Sequence, residues 1–180
     1  MARIVITGSP GTGKSVISRE VARLLSLEII DLKRIARGRG LVGKGHEVDI
    51  RRLSRALSFL SGKRDYVVEG HLACELRIPA DYVFVLRAHP SVLRRRLSRR
   101  GYGHKKLEEN LIAEMLDYCT QRARAVYRRK PLELDTSRRT ASSCAREIAE
   151  AIKQKKKKLD MVDYTKDLRR HLGLNRMGDG

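Results

Sequence analysis

The sequence predicts an α/β fold in which helices cover both faces of a five-stranded parallel β-sheet. Three observations predict it: short apolar runs recur along the 180 residues, helical patterns separate these runs, and a glycine-rich segment follows the first run directly. Near-continuous apolar character in short strands that alternate with helices is typical of a parallel sheet that is buried on both faces. A chain of this length can bury a core as one compact domain. The expected architecture is therefore a three-layer sandwich.

The first strand and the first helix enclose a phosphate-binding motif. Residues 2–7 are apolar enough for a strand, and residues 15–27 carry apolar side chains at helical spacing. Between them, residues 8–15 read Gly-Ser-Pro-Gly-Thr-Gly-Lys-Ser, which is a complete G-x-x-x-x-G-K-S/T pattern. In the order strand, loop and helix, this pattern is the P-loop that binds nucleoside triphosphate together with Mg²⁺. The sequence thus predicts a P-loop NTPase fold with ATP and Mg²⁺ as ligands.

Each residue type in this loop has a chemical role. Gly11 and Gly13 allow the backbone to approach the phosphates closely, and Lys14 neutralises charge that develops on the β and γ oxygens. Ser15 presents a hydroxyl to Mg²⁺. The dipole of the following helix adds to this anion site. We therefore expect loss of Lys14 to damage turnover.

The remaining strands alternate with helices and with one unusual segment. The predicted strands are residues 4–6, 28–30, 66–68, 82–86 and 132–134. Between the second and third strands, a basic stretch rich in glycine at 37–45 precedes a helix at about 50–60. Such a segment is suited to closing over a ligand.

Helices dominate the second half of the chain. The predicted elements are a helix at 92–99 that starts near Pro90, a break at 101–103, a long helix at 105–127 that Pro131 ends, and an amphipathic helix at 141–152. A lysine-rich segment follows the last helix.

A carboxylate and an imidazole follow the third strand. Mg²⁺ keeps several of its waters in proteins, and carboxylates often organise these waters. Glu69 lies at the strand end, where it could position a metal-bound water, and His71 could orient an attacking water or contact a phosphate. An ion pair between Glu69 and one of the many arginines is the alternative.

Arginines supply the cations that phosphoryl transfer requires. Arg96 and Arg100 are four residues apart and share one face of a helix that leads to the break at 101–103. A hinged lid that carries arginines can bring positive charge to the transferring group and exclude water. After the second strand, Asp31 and Arg34 form a candidate site for a second phosphate, and a capping or surface role is the alternative for Asp31.

Composition indicates the compartment and the partners. The net charge of +19 and the pI near 10.5 imply attraction to polyanions such as nucleotides, RNA or an acidic protein. Cys74, Cys119 and Cys144 form no C-x-x-C pair, so we expect buried free thiols in a reducing compartment rather than a disulfide framework or a zinc site. The N-terminal apolar run is too short for a signal peptide, and no segment has the length of a membrane span. We therefore expect a cytoplasmic protein.

Together, these motifs resemble the atypical adenylate kinase family known as adenylate kinase isoenzyme six or coilin-interacting nuclear ATPase, which has archaeal members. Residues 100–110 are similar to the short lid signature R-G-Y-x-x-K-K-L-x-x-N of that family. Residues 83–87 resemble its fourth strand, and residues 31–34 resemble the monophosphate motif of adenylate kinases. The resemblance covers about residues 3–152.

The resemblance implies a nucleoside-monophosphate kinase fold with a short lid. It implies reversible phosphoryl transfer from ATP to AMP or another monophosphate, together with slow ATPase activity. It also implies a role in late maturation of the small ribosomal subunit, through binding of a platform ribosomal protein (universal S eleven) close to the small-subunit rRNA. By motif, the residues that contact ATP are Gly11, Gly13, Lys14, Ser15 and Val16, and Arg100 reaches its phosphates from the lid.

The same resemblance divides the chain. It predicts a kinase domain at 1–152, with a monophosphate-binding segment at about 31–53 and a lid at about 99–109, and it leaves a basic extension at 153–180 uncovered. Family members commonly carry an aspartate where this chain has Glu69, which leaves the geometry of metal and water open. Two other functions stay open: an ATPase switch in ribosome assembly with negligible kinase activity, and a P-loop kinase for a small molecule such as a hydroxy acid or a sugar.

Overall fold

The structure of the protein is a computed structural model that describes residues 2–45 and 47–174. Residues 1, 46 and 175–180 lie outside the described residues. They belong to the predicted kinase domain, monophosphate segment and basic extension, respectively.

Five parallel strands form one sheet in the order β2, β3, β1, β4, β5. The strands are β1 (Arg3–Gly8), β2 (Glu28–Asp31), β3 (Tyr66–Glu69), β4 (Tyr82–Arg87) and β5 (Leu132–Asp135). The predicted five-stranded parallel sheet is confirmed. Because β1 lies at the centre, the P-loop after it opens at the carboxyl edge of the sheet, where ligands bind in sheets of this kind.

Helices lie between most of the successive strands and after the last one. In the described part of the chain they are α1 (Lys14–Leu25), α2 (Leu32–Gly38), α3 (Ile50–Ala56), α4 (Pro90–Ser98), α5 (His104–Met115), α6 (Tyr118–Tyr127), α7 (Ala141–Lys153) and α8 (Thr165–His171). Short 3₁₀ turns cover Ser58–Ser61 and His71–Glu75. Pro90 is the first residue of its helix, as the sequence predicts.

The helix predicted at 105–127 is wrong as a single element, because two helices occupy this range. Between α5 and α6, Asp117 takes a left-handed backbone conformation with a φ of 55°. Its carboxylate contacts the guanidinium of Arg87 at the end of β4. This partner is distant in sequence, so the local helical pattern cannot reveal the break.

A second difference lies after β2, where the sequence predicts a glycine-rich stretch without a helix at its start. The carboxylate of Asp31 accepts hydrogen bonds from the backbone N–H groups of Lys33 and Arg34, at 2.8 and 3.1 Å. Such bonds satisfy N–H groups that the first turn of a helix leaves without partners. The capping alternative for Asp31 is therefore confirmed, and α2 begins one residue after the strand.

Side chains of the central strand alternate between two cores. Ile4 and Ile6 pack with α1 and α7, whereas Val5 between them packs with α2, α3 and α6. All three side chains are fully buried. Burial of an aliphatic side chain of this size contributes about 1.5–3 kcal/mol. The predicted three-layer arrangement, with helices on both faces, is confirmed.

The chain after α7 packs against the sheet and the helices. The N–H of Asp160 donates to the carbonyl of Glu133 at 3.1 Å, and the carboxylate of Asp160 accepts from the N–H of Asp135 at 2.8 Å. This segment therefore runs beside β5. Further along, α8 lies against α5, and Tyr164 is buried with 6% of its surface exposed. Residues 153–174 are thus part of the same folded unit.

Two further observations concern the cysteines and the length of the helices. Cys74, Cys119 and Cys144 are free and buried. Over residues 2–45 and 47–174, no helix combines the length and the apolar character that crossing a membrane requires.

Candidate active site

A cleft of about 490 Å³ opens at the carboxyl edge of the sheet. The P-loop, the ends of β2 and β3, the helix α2 and residues of the predicted lid surround it. The predicted site residues that line it are Gly11, Gly13, Lys14, Ser15, Val16, Asp31, Glu69, His71 and Arg100. Arg34 and Arg96 do not line it, so the structure brings together most but not all of the predicted set.

Two glycines fix the path of the P-loop. A Cβ atom at Gly8 would lie 2.3 Å from the carbonyl oxygen of Leu86, and one at Gly11 would lie 2.7 Å from Cδ1 of Leu93. Their φ angles of 138° and 90° are also disfavoured for residues with side chains. The loop therefore rests directly on β4 and α4. Its exposed side and the N-terminus of α1 form a cradle that fits a polyphosphate.

Lys14 lies inside this cradle. Its Nζ donates to the carbonyl oxygens of Gly8 and Ser9, at 2.7 and 2.9 Å. Only 8% of the residue is exposed. Burial lowers the pKa of the ammonium group from its ordinary value, because a desolvated cation is disfavoured. Burial deprives the ammonium group of water. A phosphate oxygen in the cleft would stabilise its charge instead.

Ser15 and Glu69 meet at the end of β3. The hydroxyl of Ser15 donates to Oε1 of Glu69 at 3.1 Å. Glu69 is buried, and β2 pairs with β3 so that Asp31 lies opposite it. Burial, and then repulsion from Asp31, raise the pKa of Glu69. A cation placed here would relieve both effects.

This pair of oxygen donors fits Mg²⁺. The described ranges contain no group of three or more His, Cys, Asp or Glu side chains that could hold a metal ion by themselves. Mg²⁺ is usually bound by one or two protein oxygens together with waters and substrate phosphates. Ser15 and Glu69 supply oxygens of that kind beside the cradle.

His71 lies at the cleft among cations. Partial loss of hydration, and then repulsion from Lys14, Lys33 and Lys106, lower its pKa to about 4. The imidazole is therefore neutral at pH 7. In that state one ring nitrogen can donate and the other can accept a hydrogen bond.

The predicted lid contributes three side chains to the cleft. Arg100, Tyr102 and Lys106 are among the residues that line it. The Nζ of Lys106 lies 5.4 Å from the centroid of the Tyr102 ring, within the range of a cation–π contact. Arg100 has the position that the sequence predicts.

Arg96 has a different position from the one predicted. Its guanidinium donates to the carbonyl oxygen and the hydroxyl of Thr136, at 2.9 and 3.1 Å, and to the carbonyl oxygen of Gly11 at 3.3 Å. These bonds link α4 to the P-loop and to the loop after β5. Spacing along the helix places Arg96 and Arg100 on one face, but α4 packs beneath the P-loop, so Arg96 is already bonded there. Its geometry is that of a residue that positions the P-loop.

The predicted second phosphate site also needs correction. Arg34 is exposed and does not line the cleft, whereas Lys33 and Arg37 on the same helix do. Lys33 and Arg37 are four residues apart, so their side chains share one face of α2. Sequence reasoning missed them because the motif points to Arg34, and only the packing of α2 decides which face meets the cleft.

A buried network of charged side chains is hydrogen-bonded to the P-loop through Ser9. The sequence analysis does not predict this network. Nε of Arg87 donates to Glu114 Oε1 at 2.8 Å, and Nη1 donates to Glu133 Oε1 at 2.5 Å. The other oxygen of Glu114 accepts from the hydroxyl of Ser9 at 2.5 Å. Burial lowers the pKa of Arg87, but the ion pairs with Glu114 and Asp117 outweigh this effect and raise it.

The sequence carries a signal for this network. Arg87 ends an apolar strand, and Glu114 lies among apolar residues of an amphipathic helix. Charged residues at such positions are rarely fully buried unless they are paired. Their exposed fractions are 1% and 2%. The network thus connects β4 and α5 to Ser9 in the P-loop.

The chain matches known proteins over most of its length. A family model described as an AAA domain matches residues 4–117. A "Putative adenylate kinase" of Methanocaldococcus jannaschii is 34% identical over 170 residues, which cover 91% of this chain and 93% of the relative. One of Methanothermobacter thermautotrophicus is 40% identical over 148 residues, which cover 79% and 84%.

The similarity also includes the segment after α7. A "Putative adenylate kinase" of Thermococcus onnurineus is 33% identical over 180 residues, which cover 98% of both chains. Similarity to this relative therefore continues beyond residue 152, and the boundary of the kinase domain stays a prediction.

Solved structures share the fold. A shikimate kinase from Acinetobacter baumannii in complex with shikimate has a TM-score of 0.67 at 21% identity, covering 87% of this chain and 95% of that one. A YorR protein from Bacillus subtilis in complex with phosphorylated GDP has a TM-score of 0.55 at 15% identity, covering 84% and 96%. At these identities the likeness supports a P-loop kinase fold and nothing finer.

Proposed function

The chain belongs to the family of archaeal proteins named "Putative adenylate kinase", and from this premise we propose that it transfers the terminal phosphate of ATP to AMP or another nucleoside monophosphate. One observation carries the proposal: a single cleft joins the P-loop to the cationic face of α2. An NTPase that uses only water needs the first of these two anion sites. A kinase for nucleotides needs both.

The donor half of the proposed site is the P-loop with α1. Gly11 and Gly13 bring backbone N–H groups to the triphosphate, and Lys14 leaves its carbonyl partners to contact the β and γ oxygens. Val16 is 54% exposed at the cleft, which suits a contact with the nucleotide. These residues bind and orient ATP.

Ser15 and Glu69 would hold Mg²⁺ beside the P-loop. Bound there, Mg²⁺ supplies positive charge to the β and γ oxygens. Glu69 is one methylene longer than the aspartate common in the resembling family, which changes where its carboxylate meets the ion or a metal-bound water. Burial is the main cause of the raised pKa of Glu69, and a cation at this position would offset the repulsion from Asp31 that adds to it.

The acceptor half is the segment at about 31–53. Lys33 and Arg37 present cations for the phosphate of the monophosphate, and Ala36, Val42 and Val48 supply apolar surface for its base. Capping by Asp31 fixes the start of α2 and thereby the direction of both cations. Arg34 could join them only if α2 turned toward the cleft.

The lid at about 99–109 would complete the site by closure. Arg100 would then contact the phosphates, which adds charge where the transition state spreads negative charge over oxygens. His71 stays neutral, because its pKa is about 4, so it donates or accepts a hydrogen bond without adding charge. Slow ATP hydrolysis follows when water occupies the acceptor position.

The proposal is tested by incubating ATP with AMP, CMP, GMP or UMP and measuring ADP. We expect ADP above the hydrolysis rate with at least one acceptor, and we expect Lys14→Ala to lower kcat by at least about a hundredfold, because it removes charge from the transferring group. Lys166→Ala on exposed α8 is the matched control and should retain full activity. If no monophosphate raises ADP above hydrolysis, kinase activity is excluded and ATPase activity alone is left.

A second candidate function is an ATP-driven step in maturation of the small ribosomal subunit in the cytoplasm. It rests on the resemblance, and the net charge of +19 favours it because one triphosphate does not require so large an excess. Purified platform ribosomal protein (universal S eleven) should then bind the enzyme at moderate salt, close to small-subunit rRNA. No binding in a titration by calorimetry would remove this role and leave the kinase.

The third alternative is a small-molecule acceptor such as a hydroxy acid or a sugar. The structural likeness to shikimate kinase is one of fold, so it gives this alternative no specific support. The same assay decides it when shikimate and simple sugars replace the monophosphates.

A further inference from the structure

A basic groove lies at the edge of the sheet opposite the active-site cleft. It has a volume of about 440 Å³, and its five cationic side chains are Arg129, Lys130, Lys155, Lys156 and Lys157. We call these five residues the basic groove.

The basic groove is separate from the nucleotide site. Tyr82 and Leu132, the first residues of β4 and β5, form part of its floor. The cleft lies at the opposite ends of the parallel strands. A strand of six residues such as β4 spans about 20 Å. The charge of the groove therefore has no part in binding the phosphates of ATP.

The carboxylate beside the groove forms its hydrogen bonds with a residue outside the groove. Asp81 lines the groove, but its two oxygens accept from the N–H and from Nη2 of Arg3, at 2.9 and 2.7 Å. The bond from Arg3 is the main reason that the pKa of Asp81 is lowered. Among the described residues, no carboxylate forms an ion pair with any of the five groove cations.

The backbone under these cations is held in place. The guanidinium of Arg129 donates to the carbonyl oxygens of Ala80 and Asp81, at 2.6 and 2.9 Å. The N–H of Lys156 donates to the carbonyl of Ala151 at 2.9 Å, so α7 ends in a tight turn that directs the lysines to the groove. Lysines at a helix C-terminus also interact favourably with the helix dipole. That effect does not explain why Arg129 and Lys130 converge from a different loop.

We propose that the basic groove binds the phosphodiester backbone of a nucleic acid. Binding of this kind depends on lysine and arginine contacts with phosphates and requires no apolar anchor. Protein interfaces, in contrast, are enriched in exposed aromatic side chains and depleted in lysine. In the groove floor Val83 and Leu132 are buried, at 1% and 8% exposed, and the one aromatic ring, that of Tyr82, is half-buried. The chemistry therefore favours a polyphosphate chain over an acidic protein.

The proposal predicts where binding is lost. The variant Lys155→Gln, Lys156→Gln, Lys157→Gln removes three charges from the groove. The matched control Lys166→Gln, Arg169→Gln, Arg170→Gln removes three charges from exposed α8. Fluorescence anisotropy with a labelled single-stranded RNA, and with DNA of the same sequence, measures affinity over a range of salt concentrations.

We expect the groove variant to bind RNA at least about tenfold more weakly at about 0.15 M salt, and the slope of log affinity against log salt to flatten by about 2. The control should stay within about twofold of the unmodified protein. Both variants should keep the melting temperature and the ADP production of the unmodified protein. RNA and DNA should bind alike, because phosphate contacts carry no sequence or sugar information.

Three results would overturn the proposal. Equal losses in the groove variant and the control would mean that net charge alone attracts nucleic acid. Displacement of RNA by inorganic phosphate at matched ionic strength would indicate a site for a small anion. Displacement by polyglutamate as effective as by unlabelled RNA would indicate an acidic protein as the partner.

Discussion

Single residues outside the P-loop motif hold that loop in its position. Arg96 donates to Gly11 from one side, and Glu114 accepts from Ser9 on the other. The motif identifies the residues that contact phosphate, but the shape of the loop depends on these two contacts as well. We therefore expect the buried partners of the loop to matter for stability as much as for binding.

The first prediction concerns Glu114. Glu114→Gln keeps the size of the side chain but removes the charge that faces Arg87 at 2.8 Å. Loss of one partner of a buried ion pair costs about 3–5 kcal/mol. Because Arg87 keeps Glu133 and Asp117, we expect the free energy of unfolding in urea to fall by about 2–3 kcal/mol, below that range.

The matched control is Glu108→Gln on the same helix. Glu108 pairs at 2.5 Å with Arg94, whose side chain is 46% exposed. A surface pair of this kind contributes about 0–1 kcal/mol. If Glu114→Gln and Glu108→Gln lowered the free energy of unfolding equally, the buried network would not stabilise the fold more than a surface ion pair does.

The second prediction concerns the pH dependence of stability through His71. Its pKa is about 4 in the folded protein, against about 6.5 in an unfolded chain. As pH falls from 6.5 toward 4, the unfolded chain binds a proton that the folded protein does not, so the free energy of unfolding decreases. We expect this contribution to be present above pH 6.5 and lost toward pH 4.

Urea unfolding at pH 7 and pH 5 measures this effect. His71→Gln should lose less stability than the unmodified protein over this interval. His71 and His104 are both exposed, but only His71 lines the cleft, so His104→Gln controls for the loss of an imidazole as such. A His71→Gln protein with the same pH dependence as the unmodified protein would show that His71 is not held neutral.

At the scale of elements, local sequence patterns predict where strands and helices occur. They do not predict where a helix ends or which of its faces meets the ligand. The apolar runs locate all five strands, because burial on both faces requires continuous apolar character. The break between α5 and α6 depends on Asp117 and Arg87, which are 30 residues apart in sequence. The sequence pattern has no means of showing a contact between such distant residues.

The same distinction applies to the candidate site. Nine predicted residues line the cleft: the P-loop motif and the ends of parallel strands locate eight of them, and the lid signature locates Arg100. Arg34 and Arg96 do not, since their positions depend on how α2 and α4 pack. Helical spacing tells which residues share a face, but it does not tell which face meets the ligand.

The third prediction follows from the orientation of α2. If Arg37 contacts the monophosphate, Arg37→Ala should raise the KM for AMP by roughly tenfold or more, since a hydrogen bond to a charged group contributes about 1.5–3 kcal/mol. Arg34→Ala should change KM by less than about twofold, because Arg34 faces solvent. Steady-state kinetics with AMP as the varied substrate measures both. A larger effect of Arg34→Ala would mean that α2 turns on binding.

At the scale of the whole molecule, the C-terminal segment belongs to the folded unit. Tyr164 packs against α5, and its ring lies 5.3 Å from the guanidinium carbon of Arg87. Through Arg87, Glu114 and Ser9, this contact continues to the P-loop. The basic composition of residues 153–180 suggests a separate extension, but Val162, Tyr164 and Leu168 attach the described part, 153–174, to the rest of the fold.

The fourth prediction tests this attachment. Tyr164→Ala should lower the free energy of unfolding by about 3 kcal/mol, as large-to-small changes at buried aromatic residues do. Met161→Ala in the same segment should change it by less than about 0.5 kcal/mol, because Met161 is 78% exposed. Chemical denaturation measures both. Equal effects would indicate that the segment does not pack as described.

The central property that we propose for the molecule is transfer of a phosphoryl group between two nucleotides in its cleft. The most direct test follows the label from ATP carrying a labelled γ-phosphate, mixed with AMP and Mg²⁺. We expect labelled ADP to form from AMP, and we expect Lys14→Ala to abolish it while Lys166→Ala does not. Label that appears only in inorganic phosphate, with AMP and with every other monophosphate, would contradict the claim.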